Sequence, residues 1–162
     1  MKIKKVEPED WRKLRDLYLK LLESNPDFFV DEHKDVALRT EEEWIRDLKR
    51  DGAIFVAIEN EKFVGMGRIN FYSELPRIPV LHKLGVLSEY RNKGFGSALL
   101  EARENWAKNK GAKKIRTYVI DKNKKMINFL EKKNYHFVKK ETNSSKRKDG
   151  TAVDVIIMEK NF

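Results

Sequence analysis

The segment Arg91-Asn92-Lys93-Gly94-Phe95-Gly96-Ser97-Ala98 concentrates the residue types that hold a phosphorylated ligand. It lies between an apolar run and a stretch with helical periodicity. A helix N-terminus presents unpaired backbone amides and a positive dipole end, and glycine lets that backbone approach an anion closely. Arg91 and Lys93 add cationic side chains at the same point, so the segment reads as a diphosphate cradle. The same glycines would equally serve a plain tight turn from strand to helix. Two other phosphate sites are disfavoured by the letters: a dinucleotide fingerprint wants Gly or Ala where Leu99 stands, and a Walker loop wants Gly-Lys-Ser/Thr, which is absent.

The elements that must position this turn follow from periodicity. Ile3 to Val6 reads as a strand, and Trp11, Leu14, Tyr18 and Leu21 recur at helical spacing behind Pro8. Ser24 to Arg39 has no clean period and reads as a loop with some helical turns. Thr40 and Glu43 fit a capping box for a second helix that carries Trp44, Ile45 and Leu48 and stops at Gly52. Ala53 to Ile58 and Phe63 to Phe71 form a hairpin across Glu59-Asn60-Glu61-Lys62, its first strand buried on both faces. A strand from Val80 to Leu87 leads into the glycine turn and a helix bearing Ala98, Leu99, Ala102 and Trp106, ended by Gly111. Ile115 to Ile120 is a strand, and Met126, Ile127, Phe129 and Leu130 mark a helix. Tyr135 to Val138 and Val153 to Met158 are strands joined across Asp149-Gly150. The order β-α-α-β-β-β-α-β-α-β-β predicts one layered α/β or α+β domain over 1–162. Trp11, Trp44 and Trp106 fall on apolar helix faces and are assigned to the core.

Composition narrows the function classes. A 40% hydrophobic fraction with three Trp and nine Phe supports a packed core, while 38% charged residues predict a densely charged surface. The chain has no cysteine, so disulfides, thiolate metal sites and a cysteine nucleophile are excluded, and His33, His82 and His136 show no metal-ligand spacing; no metal is expected. No segment has the length of a signal peptide's apolar core or of a membrane span, which makes the cytoplasm the expected location. The net charge of +9 attracts polyanions without choosing among nucleic acid, membrane and phosphorylated cofactor.

The turn resembles the Arg/Gln-x-x-Gly-x-Gly/Ala motif of the GNAT superfamily of N-acetyltransferases. Leu84-Gly85-Val86-Leu87-Ser88-Glu89-Tyr90 is similar to the strand and turn that precede it there, and Asn123 through Tyr135 resembles the family's second signature. Almost all of Ile3 to Lys160 can be laid on the family's element order. The resemblance implies a mixed, mostly antiparallel sheet of about seven strands with about four helices on its faces. It also implies acetyl-CoA as co-substrate, with an acetyl group passed to a primary amine by direct attack, and it favours a homodimer.

Carried over by position, Leu84, Gly85 and Val86 would pair with the pantetheine arm, and Asn92, Lys93, Gly94, Phe95, Gly96 and Ser97 would wrap the diphosphate beside Arg91. A bulge between the fourth and fifth strands would admit the cofactor. The Val86 amide would stabilise the oxyanion, and Asn123 would hydrogen-bond the pantetheine. Lys122, Lys124 and Lys125 are candidates for the 3′-phosphate.

Two positions depart from the family. Leu130 stands where a Tyr protonates the leaving thiolate, which makes Tyr118 or a water the substitute acid. Asn134-Tyr135 replaces Gly-Phe, and Asn tolerates the left-handed backbone that Gly supplies. Glu74 and His82 are the candidate bases for the amine. Two alternatives stand beside the transferase. Leu130 suits a coenzyme A binding or sensing domain with little catalysis. The charge and Lys139, Lys140, Lys146, Arg147 and Lys148 suit a basic RNA- or ribosome-associated module, disfavoured by the lack of interleaved exposed aromatics. The acceptor's identity is not written in the letters, although 24–39 and 72–79 are the segments expected to shape its site.

Overall fold

Leu14, Leu17, Tyr18, Leu21 and Leu22 recur every three or four residues, and in the computed structural model this stripe is the buried face of helix α1 (Trp11–Ser24). The structure describes residues 1–146 and 149–162. Helix α3 (Glu41–Leu48) starts at the expected capping box, where Thr40 Oγ1 accepts from the Glu43 amide at 3.3 Å and Glu43 Oε2 accepts from the Thr40 amide at 2.7 Å. It ends earlier than Gly52, which opens strand β2 (Gly52–Glu59) instead. The segment read as a loop with some helical turns holds a 3-10 turn at Pro26–Phe28 and a short helix, α2 (His33–Ala37), whose single buried residue, Val36, is too little to show a period.

Seven strands make one sheet: β1 (Lys2–Lys5), β2, β3 (Lys62–Tyr72), β4 (Leu75–Val86), β5 (Lys114–Ile120), β6 (His136–Lys146) and β7 (Ala152–Asn161). Their spatial order is β1-β2-β3-β4-β5-β7-β6, antiparallel everywhere except between β4 and β5. This is the mixed, mostly antiparallel sheet expected, with five helices rather than four. Side chains of β2 alternate across it. Ile54 and Val56 pack with α1 and Trp44, while Phe55 and Ala57 pack with Phe95 and Leu99 of α4 (Phe95–Asn109). Trp44 is buried, and Trp11 and Trp106 are half-buried against the two cores.

Two strands run beyond their sequence limits. β4 begins at Leu75 despite Pro76 and Pro79, because the ladder skips from Tyr72↔Leu75 to Asn70↔Val80 and leaves the prolines in the irregular stretch, where no amide is required. β6 continues through a lysine-rich, exposed stretch that carries no apolar alternation; pairing with β7 alone sustains it. On this edge strand Lys139 pairs with Glu141, and Lys140 with Asp121 and Asp154, so part of the proposed basic patch is neutralised internally. Arg147 and Lys148 lie outside the described residues. Helix α5 (Lys124–Lys132) ends with Asn134 at φ 67°, the left-handed conformation assigned to it from the sequence.

Candidate active site

β4 and β5 pair only at Val80↔Arg116 and Leu81↔Thr117. Just beyond, Lys83 adopts φ 52°, and β4 places two residues between His82 and Gly85 where β3 places one between Arg68 and Met66. An extra residue bends and twists the strand that holds it, so this bulge turns β4 away from β5 and opens a wedge. Val86 faces Gly65, and the Leu87 amide donates to Val64 O at 2.9 Å. Successive residues of an antiparallel strand aim their amides at opposite edges, so the Val86 amide faces the side that β5 has left.

Lys83 is a non-glycine residue in a disfavoured conformation, and its surroundings hold it there. Its Nζ donates to Asp31 Oδ2 at 2.7 Å and stands 4.9 Å from the centre of the Tyr18 ring, whose hydroxyl donates to the same oxygen at 2.7 Å. Burial pushes the Asp31 carboxyl up, but the Lys83 ammonium and these hydrogen bonds outweigh it and hold it below the usual carboxylate value. Burial, followed by the Asp31 charge, raises the Tyr18 phenol far above its ordinary value, so it remains a hydrogen donor. The loop before α2 is thereby tied to the bulge.

A cleft of about 440 Å³ runs along Leu84, Gly85 and Val86 to the start of α4, walled by Phe29, Asn123, Met126 and Phe129. Gly94 caps α4 at φ 85°, and Ala98 donates the first helical bond, to Gly94 O at 3.0 Å. The amides of Phe95, Gly96 and Ser97 precede it and have no helical acceptor. The first turn of α4 carries no acidic side chain. A Cβ at Gly96 would come no closer than 3.9 Å to any neighbour, so glycine here is not demanded by the fold itself. Arg91 is exposed and bridges Val86 O at 3.0 Å and Asn25 Oδ1 at 3.2 Å; Lys93 donates to Glu89 O at 2.9 Å. Both cations therefore rest on backbone or amide oxygens; Arg91 lines the cleft, and Lys93 is not among its lining residues. These residues fit a diphosphate followed by an extended, amide-bearing arm: amides and cations at one end, a free strand edge at the other. Asn123 spends Oδ1 on the Met126 amide at 3.2 Å as the cap of α5, leaving its NH₂ for the cleft. Of the three lysines considered for a further phosphate, Lys125 lines this cleft.

A second cavity of about 380 Å³ adjoins the first, sharing Phe28, Phe29, Leu84, Asn123 and Met126 with it. His82, Lys83, Tyr118, Arg103 and Leu130 line it. Leu130 is buried at 2% exposure and offers no proton. Tyr118 is 37% exposed at this cavity. Glu74 sits on the exposed β3–β4 turn and is not among the residues lining either cavity, so the fold does not bring it to the wedge. His82 also lines a third cavity of about 380 Å³ beside α3, with Arg39, Asp47, Arg68 and Tyr72. Burial first, then the charges of Lys83, Arg68 and Arg103, pull its imidazole down to about 4, against the opposing charge of Asp31. His82 is thus neutral at pH 7.

The sequence reading missed Arg103. Its side chain is 1% exposed, rises from α4 under Gly67, and donates to Leu99 O at 3.0 Å, Arg68 O at 3.3 Å and His82 O at 3.4 Å. A Cβ on Gly67 would stand 2.7 Å from its guanidinium carbon. Burial lowers Arg103 to about 10, so it stays charged at pH 7, and among the described residues its Nη2 has no partner. The available signal was an arginine at the i+4 position from Leu99 on an otherwise apolar helix face.

The Acetyltransferase (GNAT) family profile matches residues 11–135. The chain belongs to the GNAT acetyltransferase family. Solved structures agree in fold over the whole chain. A GNAT-family acetyltransferase from Streptococcus pneumoniae is 24% identical with a TM-score of 0.83, covering 99% of each chain. A ribosomal-protein-alanine N-acetyltransferase from Brucella melitensis is 16% identical with a TM-score of 0.79, covering 100% of each. A putative acetyltransferase from Salmonella typhimurium, solved with its cofactor acetyl-CoA, is 14% identical with a TM-score of 0.77, covering 99% of this chain and 93% of that one. None of the curated proteins matches the chain. Among the described residues of this GNAT protein, no group of three or more His, Asp or Glu could hold a metal ion, and no helix is long and apolar enough to cross a membrane.

Proposed function

We propose that this protein is an acetyl-CoA-dependent N-acetyltransferase in which a primary amine attacks the thioester directly. The observation that carries the reading is the continuity of the wedge: the free Val86 edge, the unpaired amides of α4 and the second cavity meet along one path. Acetyl-CoA supplies an acyl group already activated as a thioester. Phe95, Gly96 and Ser97 amides, with Arg91 at the rim and Lys93 on the same turn, hold its diphosphate. Leu84 and Val86 pair with the pantetheine amides, and the Asn123 NH₂ donates to the same arm. The Val86 amide donates to the carbonyl oxygen as that oxygen gains charge, a preorganised contact of the kind worth about 3 kcal/mol.

The acceptor enters the second cavity and meets His82. The cations near His82 that depress its imidazole equally disfavour an ammonium, so the acceptor reacts as the neutral amine. The attacking nitrogen becomes strongly acidic once its new bond forms, and His82 is then basic enough to accept its proton. With Leu130 in place of an acid, coenzyme A leaves as the thiolate, a tolerable leaving group with an ordinary thiol pKa near ~8.5. Tyr118 lines the same cavity, which supports a role for it through water.

Buried Leu130 also favours a second reading, a coenzyme A binding domain with little turnover. Calorimetric titration with acetyl-CoA, paired with thiol release across an amine panel, separates the two. Micromolar binding with thiol release supports the transferase, and binding without release supports the sensor. Absence of binding would overturn both.

A further inference from the structure

We propose that His82 and Tyr72 form a proton relay that, while the acceptor fills its cavity, takes up the proton released by the acceptor nitrogen and delivers one in exchange to the neighbouring cavity beside α3. The proposal rests on the acetyl-transfer reading of the wedge. His82 is the residue of β4 that, with Lys83, lines both cavities, whereas Tyr72 lines only the one beside α3. Tyr72 Oη stands 2.9 Å from His82 Nε2, and the two rings meet edge to face at 79° with centroids 5.5 Å apart. The Nε2 edge is therefore committed to Tyr72. Among the described residues Nδ1 has no protein hydrogen-bond partner, yet it is not one of the sealed, partnerless atoms, so it is open to a cavity. Tyr72 is 43% exposed, which gives the relay an exit.

The charges around the ring explain why a relay is needed. Lys83 on β4, Arg68 on β3 and Arg103 on α4 face His82 with positive charge, Asp31 from the loop before α2 opposes them, and Tyr72 closes the end of β3. An imidazolium held in that field is short-lived, and it reverts quickly unless its other proton leaves.

The step balances as follows. In the resting tautomer Nε2–H donates to Tyr72 Oη and Nδ1 carries the lone pair. As the acceptor's C–N bond forms, Nδ1 takes the nitrogen's proton, Nε2 gives its own to Tyr72 Oη, and the original hydroxyl proton of Tyr72 passes to water. The ring ends neutral with its hydrogen on Nδ1. After the product leaves and water enters the acceptor cavity, that water takes the proton from Nδ1, while Tyr72 returns one to Nε2 and regains its hydroxyl proton from the water beside it. Tyr72 passes protons without ionising, in keeping with a phenol that burial pushes above its ordinary value.

Nitrogen NMR of the His82 ring in the free protein at pH 7 reads the tautomer whether or not an acceptor is known. The relay expects hydrogen on Nε2. Tyr72→Phe, which keeps the ring and removes the hydroxyl, is expected to shift His82 toward a mixture of tautomers. It should lower kcat about tenfold, at the lower end of acid–base effects, leave acetyl-CoA affinity unchanged, and regain rate with added imidazole buffer. Hydrogen on Nδ1 in the wild type, or an unaltered kcat and tautomer in Tyr72→Phe, overturns the relay. Failure of the underlying transferase reading shows separately, as wild-type protein that does not bind acetyl-CoA in the calorimeter.

Discussion

Alanine at Gly96 should make the free protein more stable and its cofactor complex weaker. Gly96 is the second residue of α4, outside the positive-φ glycines, and a Cβ there finds Phe129 Cζ at 3.9 Å as its nearest neighbour. Nothing in the fold resists the methyl group. Glycine costs a helix interior roughly 0.5–1 kcal/mol relative to alanine, and near the first turn about 0.5 kcal/mol of that is expected to return. For a chain of this size such a gain raises the melting temperature by about 1–2 °C. In the cleft the same methyl group stands over the amides of residues 95–97. Loss of one hydrogen bond to a charged phosphate costs about 1.5–3 kcal/mol, which corresponds to roughly 10- to 100-fold weaker acetyl-CoA binding. Thermal melts of the free proteins and calorimetric titration give the two numbers on the same samples. Acetyl-CoA binding to Gly96→Ala at wild-type affinity would refute the cradle, and a lowered melting temperature would refute the open space around the Cβ.

The depressed imidazole of His82 makes stability pH-dependent. Its folded value near 4 lies below the unfolded 6.5, so the unfolded chain binds more protons in that window and stability falls as pH drops from about 6.5 toward 4. Denaturant titrations at pH 7 and pH 4.5 should show roughly 2 kcal/mol more acid loss in the wild type than in His82→Gln, which does not titrate; equal losses would contradict the environment described. Tyr135 donates to Glu104 Oε1 at 2.9 Å within the α4-side core, where Lys160 also holds Glu104, so Tyr135→Phe should cost about 1 kcal/mol in a urea melt and leave acetyl-CoA binding untouched. A change in that affinity would mean that Tyr135 acts at the cleft. Asn123→Asp keeps an oxygen for the α5 cap but removes the NH₂. Stability within about 0.5 kcal/mol of wild type and weaker acetyl-CoA binding are expected, and unchanged binding would release Asn123 from the pantetheine.

Much of the local structure of the proposed cofactor half could be read before the fold was known. The glycine turn opens α4, the capping box opens α3, and Asn134 takes the left-handed conformation. Each depends on residues within one turn of each other. The acceptor half was less legible. Glu74 and His82 were equal candidates in the sequence, and pairing of β3 with β4 leaves Glu74 on an exposed turn while His82 enters the wedge. Arg103 looked like one more surface cation on a helix; Gly67, far away in the chain, provides the space in which it is buried.

The sequence by itself determined where helices α3 and α4 begin, which glycine turn opens α4, and that no cysteine chemistry is available, because capping, periodicity and residue type act over a few bonds. Only the tertiary structure decided that the Val86 amide faces an open edge and that Tyr72, Lys83, Asp31 and Arg103 gather around His82. Those facts hang on a single extra residue in β4. Strand register is set by pairing partners distant in the chain, and one residue of slip reverses which edge every following amide faces.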